Sequence, residues 1–141
     1  MKIKASLRKP YTDEQRMDFI VTNNHQNGYE IRETETALEA WGYTEEEQAE
    51  KERERISHLK CTKRVFILML EQLGLDYFEQ IEPLINANRQ ARLEWSLCVE
   101  LERNNPLLDA IGEELGITHE QLDNLFRYAN GEITQNEFRG E

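Results

Sequence analysis

Two cysteines, three histidines and 28 carboxylates are the side chains of this sequence that could do chemistry. Cys61 and Cys98 stand in separate segments, with no CxxC and no histidine pair beside either. His25, His58 and His119 are equally scattered. Metal sites need two or more ligands at short fixed spacing, such as HxxxH or CxxC. None occurs, so no metal ligand set is expected. GxSxG, a P-loop and GxGxxG are missing too, so the residues predict no catalytic set, no cofactor and no evident small-molecule substrate.

With so many acids, a carboxylate pair can always be assembled after the fact, and it then carries no information. Glu94 and Glu102 are more specific, because both fall within an apolar helical arc. A buried carboxylate needs a partner, and Lys63 or Arg64 is the expected one. The competing reading is a perturbed catalytic acid. Cys98 lies on the same arc and reads as a small buried hydrophobe. Cys61 stands just before a helix start, where a thiol pKa can be lowered. Packing is the preferred role for it as well.

These residues must be positioned by the stretch NRQARLEWSLCVELER, Asn88 to Arg103. At 100° per residue Arg89, Arg92, Ser96, Glu100 and Arg103 share one polar stripe. Ala91, Leu93, Trp95, Leu97, Cys98, Val99 and Leu101 cover most of the remaining girth. A helix so apolar sits among other helices. Asn88 is its N-cap, and Trp95, Cys98, Glu94 and Glu102 form the expected structural hub.

Around that hub the chain offers further helices. Thr62 caps a helix over 63–73 that Gly74 stops, with Val65, Phe66, Leu68, Met69, Leu70 and Leu73 inward and Ile67 outward. Asp76 opens a helix through Ile85 that Pro83 should kink or split. Asn105-Pro106 is a strong helix start, and Gly116 ends that helix. Thr118 with Gln121 makes a capping box, followed by Leu122, Leu125, Phe126 and Ala129 at helical spacing.

The front of the chain is different. Thr12 with Gln15 is another capping box, for a helix running to about Gln26. Asn27-Gly28 suits a helix stop or a two-residue hairpin turn, and the stop fits the strong cap better. After Gly28 the period becomes two, and residues 29–34 with Ala37 to Trp41 form a hairpin. Two strands alone are marginal in water. Tyr29, Ile31, Leu38 and Trp41, with Ile67, are therefore the candidate interaction residues. Thr44 then opens TEEEQAEKERERISHL, a helix polar on every side and read as a solvated connector.

The expected fold is mainly α (α+β). Residues 1–43 form a helix plus β-hairpin, 44–59 a polar connector helix, 60–131 a bundle of about five short helices, and 132–141 a flexible tail.

The net charge is −11, from 28 acidic and 17 basic residues. Such a chain repels phosphate backbones and anionic membranes. The opening MKIKASLRKP lacks the apolar region of a signal peptide, and no apolar run approaches a membrane span. Its Lys2, Lys4, Arg8 and Lys9 read as a flexible, solvated end. The last two strong helices have the local look of a DNA-binding helix-turn-helix. The reading positions would be His119, Glu120, Asp123 and Asn124, of which two are acidic. They predict a helix pair with no nucleic-acid role.

LKCTKRVFILMLEQLG, RQARLEWSLCVELERNNPLLD and LGITHEQLDNLFRYANGE resemble the helical half of small uncharacterised proteins from phages and prophages of Gram-positive bacteria. YTDEQRMDFIVTNNHQNGYEI and ALEAWG resemble the variable front half of the same proteins, so the likeness spans most of the chain. That family is encoded near tail-fibre and lysis genes. The resemblance implies a virion-associated or assembly-accessory role, and it brings no functional residues.

The expected function is thus a non-enzymatic protein-interaction module with a protein partner or self-association. Its expected location is the host cytoplasm or the virion. A helix-turn-helix-like regulator acting on DNA or a transcription partner is the alternative.

Overall fold

The computed structural model describes residues 1–140. The fold is mainly α with small antiparallel sheets. The chain divides into two compact units, Met1–Glu52 and a second beginning at Arg53. The division falls inside helix α2 (Glu45–Ser57), the polar helix expected over 44–59. Its last turns belong to the second unit, where Arg55 makes a two-pronged ion pair with Glu132 at 2.7 and 2.9 Å. None of its side chains is buried, as the polar sequence requires. Among the described residues no helix is long and apolar enough to cross a membrane.

The first unit holds β1 (Lys2–Arg8), α1 (Asp13–Ile20), β2 (Glu30–Glu33) and β3 (Ala37–Gly42). The expected hairpin is there, but β1 joins it, giving the antiparallel order β1-β3-β2. The basic N-terminal stretch is therefore a paired strand, not a loose end. Residues KIKASLR alternate with period two, and that pattern was its signal. A third strand relieves the marginality of a lone hairpin.

Register decides which side chains share a face. Leu7 pairs with Leu38, Ala5 with Ala40, and Ile31 with Ala40 from the other side. Leu38 and Ala40 are buried on that face. Gly42 continues it, and a Cβ there would lie 2.9 Å from the Tyr29 ring. The glycine therefore allows Tyr29 to close over the strand end. Thr12 caps α1 with the full reciprocal box. The helix passes into a wider π-type turn, Val21–Gln26, before Gly28. No side chain of α1 is buried, and Phe19 and Ile20 are half-buried.

The second unit contains β4 (Lys60–Thr62), α3 (Lys63–Gln72), α4 (Glu82–Asn86), α5 (Arg89–Leu97), β5 (Glu100–Glu102), α6 (Pro106–Leu115), α7 (His119–Ala129) and α8 (Gln135–Arg139). Caps at Thr62, Asn88, Asn105 and Thr118 fall where the sequence places them. Pro83 does split its helix: a π-type turn, Tyr77–Ile81, gives way to α4 there.

Phe66, Leu70, Ile81, Ile85, Trp95 and Phe126 anchor one core. Trp95 packs edge-on to Phe66 at 6.2 Å and its indole N–H donates to the Tyr77 hydroxyl at 2.9 Å. Gly112 lets α6 and α7 approach: a Cβ there would meet the Ile117 carbonyl oxygen and Leu122 Cδ1, each at 3.1 Å.

Two expectations fail in this unit. The hub is not one helix to Arg103: α5 stops at Leu97, Cys98 turns extended, and β5 pairs with β4. A strand puts alternate side chains on opposite faces. Leu101 is buried accordingly, while Glu100 is exposed and Glu102 half-exposed. The tail is not free either. Thr134 caps α8, and Phe138 is buried against Tyr128 with the rings 5.0 Å apart and nearly parallel.

Candidate functional site

The strongest polar cluster lies where α6 meets α7. Arg103 is buried at the end of β5. Its Nε donates to Asp123 at 2.8 Å, and its Nη1 donates to Asp109 at 2.9 Å. Nη2 reaches the His119 carbonyl at 3.4 Å, and His119 Nδ1 is 3.3 Å from Asp109. The fork of an arginine suits bridging two carboxylates. This arrangement ties β5, α6 and α7 together. It presents no nucleophile, and both acids are engaged by the same cation. It also occupies Asp123, one of the positions from which a helix-turn-helix would read bases.

Sequence reasoning placed Arg103 on a solvent stripe and so missed this cluster. The helical phase assumed for residues 98–103 was wrong, and with it the direction of the arginine.

The other polar candidates fare as follows. Glu94 is exposed, so it is not a buried ion-pair member. Glu102 sits in β5 and meets His58 Nδ1 at 3.1 Å rather than Lys63 or Arg64. That contact holds its carboxyl below the ordinary range, with Asn104 adding a second hydrogen bond. Lys63 instead donates to the Trp95 carbonyl at 2.7 Å.

Cys98 caps the end of α5 and is half-buried, with Sγ 3.4 Å from the Glu100 carbonyl oxygen. Cys61 is buried in β4, and burial pushes its thiol up to about 12. An activated thiol is therefore replaced by a packed one. Both cysteines are free. Among the described residues no three His, Cys, Asp or Glu side chains group as a metal site would require.

The candidate interaction residues do not form one patch. Tyr29 and Ile31 are half-buried on the covered face of the sheet, and Leu38, at 1% exposure, is unavailable to any partner. Trp41 points to the opposite face, where the Arg32 guanidinium lies 4.5 Å over its ring. Ile67 is half-buried against the core of its own unit, and Leu68 is the residue of α3 that faces out.

Large apolar side chains are open at several places, Phe78 and Met17 among them, and three lie close together in sequence on α5 and just beyond it. Leu97 is 80% exposed, Val99 78% and Leu93 49%. Beside α5 runs a hollow of about 550 Å³ between α4–α5 and α6.

Comparison with protein-family models, curated proteins and solved structures found no match.

Proposed function

We propose that this chain is a non-enzymatic protein-interaction module serving phage tail assembly, in the host cytoplasm or on the virion. The observation that carries the interaction reading is the trio Leu93, Leu97 and Val99, held in water by the end of α5. Large apolar side chains gathered at one place on a protein surface mark a contact site. Covering a Leu or Val fully gains about 1.5–3 kcal/mol. Two such residues together supply the core of a modest interface. The phage setting rests on the resemblance of the quoted segments.

A DNA-reading role fits less well. The exposed start of α7 offers Glu120, while Asp123 is bound to Arg103. Phosphate attraction provides most non-specific affinity, and a net charge of −11 opposes it.

The test is site-specific photocrosslinking in induced lysogens. A benzophenone side chain at Leu97 should give one discrete adduct with a tail or assembly protein. The same group at Arg53, on the polar helix, should not. No adduct at Leu97, or the same ladder at both positions, overturns the interaction reading. A discrete adduct with a protein unrelated to the particle overturns the phage assignment alone.

A further inference from the structure

The hollow beside α5 has a definite chemistry. Leu84, Ala87, Ala91, Leu107, Ala110 and Ile111 line it, and the charged residues on its walls are Glu94 and Glu114. From Glu94 and Pro106 it continues into a second hollow of about 680 Å³ that ends at Leu97 and Cys98. Among the described residues no lysine or arginine lines either hollow.

The walls are two helical faces. On α5 the contributing positions are Gln90, Ala91, Glu94 and Leu97, with Cys98 just past its end. On α6 they are Leu107, Ala110, Ile111 and Glu114. The α6 set follows i, i+3, i+4, i+7 spacing and the α5 set recurs every three or four residues, so each is a single stripe. Helix α5 has nine residues, or about 14 Å at 1.5 Å per residue. That is the length over which two to three turns of another helix can lie. Alanines at three of the lining positions allow a guest backbone close approach, since small contact residues set the short end of the roughly 8–10 Å interaxial range.

Charge selects the guest. A second copy of this chain would bring a net charge of −11 to a trough already acidic at both walls. A helix with Lys or Arg flanking its apolar stripe would instead pair with Glu94 and Glu114 while its leucines filled the trough. Amphipathic helices bind grooves in this way through anchors at i, i+3, i+4 and i+7.

We propose that the trough between α5 and α6 is the docking site for a cationic amphipathic helix of a protein partner. This names the partner class for the interaction reading above and rests on it. Leu97, at the end of the trough, is the residue both share.

The test uses the full chain, immobilised and panned against displayed 14-residue helices. The library fixes leucine at i, i+3, i+4 and i+7 and varies the other positions among Lys, Glu, Gln and Ala. The enriched peptides should carry net positive charge. Their affinity should fall at least tenfold on Ala110→Trp, which fills the trough from an exposed position. Glu94→Lys with Glu114→Lys, also both exposed, should reverse the preference toward glutamate-bearing peptides without touching the core.

Absence of enrichment, enrichment of neutral or acidic peptides, or affinity unchanged in either variant overturns the proposal. So does a concentration-dependent dimer in light scattering that Ala110→Trp abolishes, which would assign the trough to a second copy. A Leu97 adduct in cells without charge-selective peptides sinks the trough and leaves the interaction reading standing. Charge-selective peptides without an adduct overturn the interaction reading, and the docking role that rests on it falls with it.

Discussion

Replacing Arg103 by methionine keeps most of the buried stem and deletes the guanidinium. Two charge-assisted hydrogen bonds go with it, to Asp109 and Asp123 at 2.9 and 2.8 Å. Breaking a fully buried pair costs about 3–5 kcal/mol, because a charge is stranded. Here the two carboxylates are 43% and 38% exposed, so they regain water once released. The expected loss is therefore nearer about 2 kcal/mol, within the range of about 1.5–3 for one hydrogen bond to a charged group.

The chain has two tryptophans, Trp41 in the first unit and Trp95 in the second. In a Trp41→Phe background, Trp95 fluorescence reports unfolding of the second unit alone. Urea titrations should then give about 2 kcal/mol between parent and Arg103→Met. The melting temperature should fall by roughly 8–16 °C, at about 4–8 °C per kcal/mol for a domain of this size. A double-mutant cycle with Asp123→Asn should show coupling of about 1 kcal/mol or more, since the two residues touch. A change below about 0.5 kcal/mol, or no coupling, would refute the view that this cation clamps α6 and α7.

Phe138→Ala should destabilise the second unit by about 3 kcal/mol, as expected for a buried phenylalanine; an unchanged urea midpoint would mean that α8 does not dock. At pH 8 a thiol of pKa about 12 is ionised only to about one part in ten thousand. A disulfide reagent should therefore label native Cys61 only on unfolding, while Cys98 reacts first, and rapid two-site labelling would contradict the burial of β4. Glu33 is held below the ordinary carboxylate range by the Tyr11 hydroxyl and by Lys9. A depressed folded-state pKa contributes stability above the unfolded value, and that contribution is lost as pH falls through the folded one. Tyr11→Phe should move the Glu33 titration, followed by carboxyl NMR shifts, upward toward the ordinary range; an unmoved titration would show that the hydroxyl does not set it.

Helix starts were the most legible feature of the sequence. Thr12, Thr62, Asn88, Asn105 and Thr118 each place a side-chain oxygen where a free first-turn N–H needs it, and that requirement is local. Thr134 with Glu137 carries the same signal, and Glu137 N–H does donate to the Thr134 hydroxyl at 3.2 Å. The polar composition of the tail hid it. Strand pairing was less legible because its cause is distant. Leu101 and Glu102 continue a helical pattern as readily as they alternate, and the arbiter is Cys61, which pairs with Leu101 from far upstream. The basic start of the chain failed likewise, since β1 owes its order to β3. Once the phase at Cys98 is lost, everything after it on the same segment is misplaced. That one error hid the buried Arg103 and made Val99 look like core.

The same break explains why the open apolar surface at the end of α5 lies where it does. Had the helix continued past Leu97, Leu101 would have had to reach the core from a helical phase. The switch to an extended chain at Cys98 lets Leu101 enter from β5 and turns Val99 outward at 78% exposure. Closing the fold could account for the exposure of Val99, but it does not require valine or leucine there; any polar residue would satisfy it. Leu97→Ser with Val99→Ser separates the two accounts. Both side chains are already largely in water, so their burial contributes little to folding. Surface changes of this kind usually fall within about 0.5 kcal/mol. If these residues serve a partner, the double variant keeps its urea midpoint and loses the Leu97-region adduct, read from a crosslinker moved to Leu93. If they serve the fold, the midpoint drops and the adduct persists in the fraction still folded, and the interaction account fails.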